Sequence, residues 1–197
     1  MQRPQDNASP NELVTNKTTD FASADKSKTT PGRSGARLRL FLTLAVLVVA
    51  LDQLSKLWIN ASRPQILLVP GFLDLDYVRN TGAVFGLFDN HAVLFSALSI
   101  VASVAILVFL YYFPPVNRLG AVSFALVLSG VVGNLIDRIR LGYVIDFIGF
   151  HVHELFRWPF FNVADAALVV GVFALIYYFY KWGTSKKTHE HGLRPES

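Results

Sequence analysis

Four stretches of the chain are apolar for long enough to cross a bilayer. The first, Leu38–Ile59, reads LRLFLTLAVLVVALDQLSKLWI. Leu40–Leu51 is uninterrupted, and extension through Leu57, Trp58 and Ile59 gives about 20 residues, which suits a helix across a hydrocarbon core of about 30 Å. Asp52 and Lys56 lie inside it. The second is Ala92–Phe113, ended by Pro114-Pro115; the third runs from Leu119 to Ile136; the fourth runs from Phe160 to Tyr180. Trp158, Trp182 and the Tyr177, Tyr178, Tyr180 cluster flank the fourth, as interface aromatics should. Hydrocarbon offers no partner to an open strand edge, so all four are expected to be helices. A basic flank before the first run would also suit a signal peptide. The long polar leader, the lack of a small-x-small site and the three later spans favour an uncleaved span.

Two of the connecting segments are not simple loops. In residues 60–91, Leu73, Leu75 and Tyr77 alternate with Asp74, Asp76 and Val78, and Pro70-Gly71 and Asn80–Gly82 carry turn chemistry. That pattern predicts a small, half-exposed strand element against the membrane surface of the bundle. Residues 139–159 are too apolar for a free loop and too broken to span. Phe147, Ile148, Phe150, Val152, Leu155 and Phe156 suggest a segment lying in the interface.

Charge sets the orientation. Only 16% of the 197 residues are charged, against about 25% in an ordinary soluble domain. Residues 1–37 and 181–197 carry the whole net charge of +4, while residues 38–180 hold eight basic and eight acidic side chains. The basicity is flanking and not a patch on a fold, which argues against a nucleic-acid partner. Ten Lys/Arg flank the two termini and the second loop, against five on the first and third loops. Both termini are therefore expected in the cytoplasm. The expected organisation is a disordered cytoplasmic leader at 1–37, a four-span membrane domain at 38–180 and a polar cytoplasmic tail at 181–197.

The polar residues within the spans gather at one side of the membrane. Asp52 and Lys56 are one turn apart near the outer end of the first span. They form either an i,i+4 ion pair or part of a site. Asn134, Asp137 and Arg138 end the third span, where Arg138 could orient a carboxylate through a bidentate fork. Asp146 follows among apolar neighbours, and Asn162 and Asp165 are again i,i+3 at the start of the fourth span. Such intramembrane groups normally face the bundle interior or a cavity. They could form a carboxylate site or a hydrogen-bond network that only holds the helices together. An ion or proton path would want titratable groups through the whole bilayer, and these lie on one side.

Two aspartates in close contact cannot both ionise. One keeps its proton, and the other can activate a water for attack on an amide. On spacing alone, Asp137, Asp146 and Asp165 are equally eligible. There is no Cys, hence no thiol nucleophile or disulfide. His91, His151 and His153 do not form a metal-ligand motif, and Ser96, Ser99, Ser103 and Ser129 read as helix-packing residues. No metal and no cofactor are expected.

Five blocks, in order across about Leu38 to Tyr180, resemble the lipoprotein signal peptidases of bacteria, also called signal peptidase II. They are Asp52-Gln53-Leu54-Ser55-Lys56, Arg79-Asn80-Thr81-Gly82-Ala83-Val84-Phe85-Gly86, Gly133-Asn134-Leu135-Ile136-Asp137-Arg138, Val144-Ile145-Asp146-Phe147 and Phe161-Asn162-Val163-Ala164-Asp165. The resemblance implies an all-α membrane protein of four transmembrane helices, with a small periplasmic strand-rich cradle and an interfacial periplasmic segment. It implies an aspartic endopeptidase whose catalytic pair is Asp146 and Asp165. Asn134 and Arg138 would position the pair and the substrate backbone, and Asp137 would hold structure. Asn162 would sit beside the pair, Asn80 and Gly82 would belong to the cradle, and Asp52 with Lys56 would organise the core. The stretch Phe147–Phe156 resembles a lid-like segment. The implied substrate is a diacylglyceryl-modified prolipoprotein, cut just before its lipidated cysteine. The implied setting is the bacterial inner membrane, with membrane lipids as partners and the chain acting as a monomer. The alternative is a non-enzymatic membrane scaffold or chaperone that holds signal-peptide helices.

Overall fold

Each apolar run forms a helix. The computed structural model describes residues 31–82, 92–152 and 156–191, with side chains omitted at 31–33 and 182–191. In it α1 spans Pro31–Ser62, α2 Ala92–Tyr112, α3 Arg118–Leu141 and α4 Val163–His191. The portions long and apolar enough to cross a membrane are Ser34–Ser62, Ala92–Tyr112, Arg118–Leu141 and Val163–Lys181. The chain divides into Met1–Gly35 and Ala36–Ser197; of the first, only the opening residues of α1 are described. Most of the proposed leader, and part of the proposed tail, lie outside the described residues.

The helix α3 buries most. Its sequence places small residues where α4 crosses, which lets the two backbones approach as membrane helices do. A Cβ on Gly130 would come within 2.5 Å of the Ala164 carbonyl oxygen, and one on Gly171 of α4 would come within 2.8 Å of the Val127 backbone nitrogen. Asn117 caps the start of α3 by accepting from the Gly120 N–H at 2.9 Å. Gly142 ends it at φ 79°, in the left-handed conformation that lets its N–H reach Arg138 O. Near Asn117, Phe41, Ala121, Phe124, Ala125 and Tyr178 make one core cluster. By contrast α2 has no buried residue, and Val46, Leu47, Val101 and Phe173 are among the many large apolar side chains left exposed. An outward face this apolar is what a lipid solvent requires.

The two connecting segments come together as one antiparallel sheet, ordered β1-β2-β3-β4. Its strands are β1 Gln65–Val69, β2 Leu73–Asn80, β3 Val144–Val152 and β4 Phe156–Phe161. The alternating stretch is β2, and the expected turn contains Gly71 at φ 75°. The segment over 139–159, expected to lie in the interface, takes the form of helix end and strands. This stretch contains the last turn of α3 and most of two strands, and its apolar side chains serve the sheet. β3 is the central strand against β2 and is mostly buried, so its apolar run is nearly continuous and lacks a period-two signature. β4 carries Pro159 at the sheet edge, where the missing N–H breaks no ladder. The fourth helix consequently starts at Val163 and not at Phe160. Residues 153–155 of the lid-like stretch, together with His91, His153 and Ala83–Gly86 of the second motif block, lie outside the described residues. Ile59, Ile145 and Phe147 form a second core, packed by Leu75, Tyr77, Tyr143 and Val163. That core seats the sheet on the ends of α1 and α4.

Candidate active site

The first turn of α4 is built as a reciprocal cap. Asn162 precedes the helix, and its Oδ1 accepts from the Asp165 N–H at 2.9 Å. Asp165 Oδ2 in turn accepts from the Asn162 N–H at 3.1 Å. This is the capping-box arrangement with Asp in the third helical position. It also places a carboxylate at the positive end of a helix dipole. The Ala164 N–H, another orphan of that terminus, donates to Asp52 Oδ1 of α1 at 2.9 Å. Local capping chemistry and one long-range bond thus fix the Asp165 carboxylate.

Below it lies a buried charge cluster. Lys56 is 2% exposed, and its three donors are all used: Asp52 Oδ2 at 2.9 Å, Asp137 Oδ2 at 3.0 Å and Asn134 Oδ1 at 3.0 Å. A buried ammonium is tolerated only when paired and hydrogen-bonded in this way. Gln53 Nε2 bridges the two carboxylates, at 3.1 Å from Asp52 Oδ2 and 3.1 Å from Asp137 Oδ1. The i,i+4 pair expected from the sequence is therefore half of a larger arrangement. Its other half, Asp137, comes from a distant helix.

Two links carry this cluster outward. Asn134 accepts from Lys56 and donates through Nδ2 to Asp165 Oδ1 at 2.7 Å. Asp137 Oδ2 accepts from the Ile145 N–H at 3.1 Å, which pins the strand residue next to Asp146. Asp146 itself is 2% exposed. Its Oδ1 accepts from Asn162 Nδ2 at 2.7 Å and its Oδ2 from Asn80 Nδ2 at 2.8 Å. Asn162 Nδ2 also reaches Asn134 Oδ1 at 3.1 Å. Asn80 is held by an Asx turn, with Gly82 N–H donating to its Oδ1 at 3.1 Å. All four oxygens of Asp146 and Asp165 thus receive an amide N–H, and none is within ion-pair distance of a cation among the described residues. Burial, with the nearby Asp165 charge adding to it, pushes the Asp146 carboxyl up to about 7; the Asn80 and Asn162 donors work the other way.

Both carboxylates line one cavity of about 720 Å³. Leu98, Ala102, Val131, Leu168 and Val169 of the helices and Trp158–Phe161 of β4 make its walls largely apolar, while Asn80, Gly82, Asn134 and Arg138 share its polar end with the two aspartates. Asp137, equally eligible on spacing, does not line it and is turned to Lys56. Arg138 does not fork onto a carboxylate. No ion pair within 4.0 Å forms there among the described residues, and its guanidinium lies 5.5 Å from the Phe95 ring centroid. Asp52, Lys56, Asn80, Gly82, Asn134, Asp137, Asp146, Asn162 and Asp165 are otherwise brought together by the fold. Gln53 had no role assigned from the sequence, although its place beside Asp52 and three residues before Lys56 puts it on the same helix face.

A family model described as signal peptidase (SPase) II matches residues 44–181. The lipoprotein signal peptidase of Moorella thermoacetica is 42% identical over 158 residues, which cover 79% of this chain and 99% of that protein. The lipoprotein signal peptidase of Syntrophotalea carbinolica is 44% identical over 151 residues, covering 72% of this chain and 91% of that one. A solved structure described as a bacterial membrane enzyme has a TM-score of 0.67 at 29% identity, covering 80% of this chain and 94% of its own.

Proposed function

The chain belongs to the signal peptidase II family and is a peptidase, and from that premise we propose that it removes the signal peptide from diacylglyceryl-modified prolipoproteins by aspartic catalysis. Asp146 and Asp165 are the catalytic pair. The observation that carries this reading is their convergence on one apolar-walled cavity, with every carboxylate oxygen held by a neutral amide donor. Neutral donors orient a carboxylate without draining its basicity as a bound cation would.

The pair shares one proton near neutral pH, and its titration belongs to both residues. The ionised carboxylate takes a proton from a water lying between them as that water attacks the scissile carbonyl carbon. The protonated carboxyl donates to the carbonyl oxygen, which becomes the tetrahedral hydroxyl. Collapse breaks the C–N bond. The leaving nitrogen takes up a proton from one carboxyl while a hydroxyl of the tetrahedral carbon returns its proton to the other, so a carboxylic acid and a free amine result and the pair keeps one proton. The apolar walls suit a signal-peptide helix and acyl chains, which deliver the amide to the polar end of the cavity already oriented. Asn134 and Asn162 act as positioning residues, and Lys56, Asp52, Asp137 and Gln53 hold them.

In this reading both termini face the cytoplasm and the sheet lies on the periplasmic surface of the inner membrane, with residues 38–180 as the catalytic domain of a monomer. The test is incubation of the purified chain in detergent with a diacylglyceryl-modified prolipoprotein and a chelator, with products read by mass spectrometry. A single cut before the lipidated cysteine is expected. An intact substrate bound by folded protein would overturn the reading in favour of a scaffold.

A further inference from the structure

Outside the cavity, the sheet carries a cluster that the peptidase reading does not use. Arg63 follows α1, and its guanidinium carbon lies 3.8 Å from the Tyr77 ring centroid. Arg79 lies 5.9 Å from the same centroid and 5.0 Å from that of Tyr143. Arg79 Nε donates to Tyr77 Oη at 3.2 Å, and the two phenol oxygens are 3.1 Å apart. Both arginines are exposed, and neither has a carboxylate within 4.0 Å among the described residues. The nearby Asp76 carboxylate accepts from the Tyr77 N–H at 2.7 Å.

The backbone supports a specific placement of Arg63. Its φ is 47°, the one non-glycine residue in the left-handed region among those described. The Arg63 N–H closes α1 on Ile59 O at 2.9 Å. Gly or Asn usually takes this position, because a Cβ is strained there. The guanidinium is further steadied by Nε donating to Asn60 O at 3.3 Å. Between the arginines in sequence runs β1, all five residues of which are exposed. Ile66, Leu67, Leu68 and Val69 present an apolar edge, extended by the exposed Phe72.

We propose that Arg63, Arg79 and the Tyr77–Tyr143 pair recognise the phosphate of an anionic phospholipid whose acyl chains lie against the exposed β1 edge. Each guanidinium offers a planar fork that matches phosphate, and stacking on the rings pre-orients it. Tyr and Arg at headgroup depth beside apolar side chains are the interfacial combination. A zwitterionic headgroup would bring its own cation against the two arginines, whereas an anionic one does not. The inference rests on the reading that the sheet lies on the membrane surface, and it does not depend on which residues cut the peptide.

The test is native mass spectrometry of the full chain in neutral detergent, titrated with phosphatidylglycerol or with phosphatidylcholine of the same acyl chains. An attraction typical of an arginine at a lipid surface predicts about a fivefold loss of phosphatidylglycerol affinity for Arg63→Gln or Arg79→Gln, and about thirtyfold for the double variant. Arg→Lys at both positions keeps the charge without the fork, and should fall between native and double Gln variant. It also serves as the probe if the Gln variants do not fold. Inorganic phosphate should leave the bound lipid in place. Equal affinity for the two lipids, unchanged preference in the double variant, or displacement by inorganic phosphate would each overturn the proposal. Lost cleavage with the lipid preference intact would count against the peptidase reading alone.

Discussion

Replacing Asp146 by Asn should stabilise the protein at pH 8 and do nothing of the kind at pH 4. Burial and the neighbouring Asp165 charge push the Asp146 carboxyl up to about 7, whereas an unfolded aspartate titrates near 3.9. Its folded-state value is raised, so the folded state holds the proton more tightly. The stability this provides is fully present below about pH 4 and is lost as pH climbs through about 7. At pH 8 the ionised carboxylate therefore burdens the fold by about 4 kcal/mol relative to pH 4. Asn carries no such charge. It does place an NH2 group against one of two donors, since Asn162 Nδ2 and Asn80 Nδ2 both point at Asp146 oxygens. One hydrogen bond is then lost, at about 1 kcal/mol. The net expectation is a gain of about 3 kcal/mol at pH 8 and a small loss at pH 4. For a chain of this size that corresponds to a rise of roughly 5–10 °C in midpoint at pH 8. Tryptophan fluorescence during thermal unfolding in detergent, at both pH values, reads it out. An equal shift at the two pH values, or destabilisation at pH 8, would refute the reasoning.

Four further outcomes follow from the same geometry. Lys56→Met strands Asp52 and Asp137 in the interior and should destabilise by about 3–5 kcal/mol, with much of the loss recovered when Asp52→Asn and Asp137→Asn are added; thermal unfolding compares the variants. Asn134→Ala removes the 2.7 Å donor to Asp165 and should lower kcat by about a hundredfold with little change in KM, as steady-state cleavage would show. Cleavage should decline as pH rises above about 7, because loss of the proton that the pair shares leaves both carboxylates ionised. Asn80→Ala removes a donor to the Asp146 carboxylate and should move this alkaline limb upward, by up to about one pH unit.

What could be read from the chain was whatever repeats locally. The four spans stand out because lipid demands unbroken apolar faces, and β2 stands out because Leu73, Leu75 and Tyr77 alternate with Asp74 and Asp76, with Leu75 and Tyr77 packing on the Ile59 core. The central strand β3 was hidden by its own burial, since Val144, Ile145, Asp146 and Phe147 are all enclosed and leave no alternation to detect. The i,i+3 spacing of Asn162 and Asp165 was visible, but it marks a capping box as much as a shared face. Contacts across the bundle were out of reach of spacing. Nothing near Lys56 announces Asp137 as its second carboxylate, and nothing near Arg138 announces the Phe95 ring in place of a carboxylate fork. The resemblance to the signal peptidase II family carried an implication that the bare pattern lacked. That resemblance implied Asp146 and Asp165 where spacing left three candidates, and both residues line the cavity.

The most direct test of the central claim is single-turnover cleavage of a diacylglyceryl-modified prolipoprotein by the native chain and by Asp146→Asn, Asp165→Asn and Asp137→Asn, each shown to be folded. The account predicts no detectable cleavage by the first two variants and retained, slower cleavage by the third. Cleavage surviving either of the first two substitutions would contradict it, as would complete loss confined to Asp137→Asn.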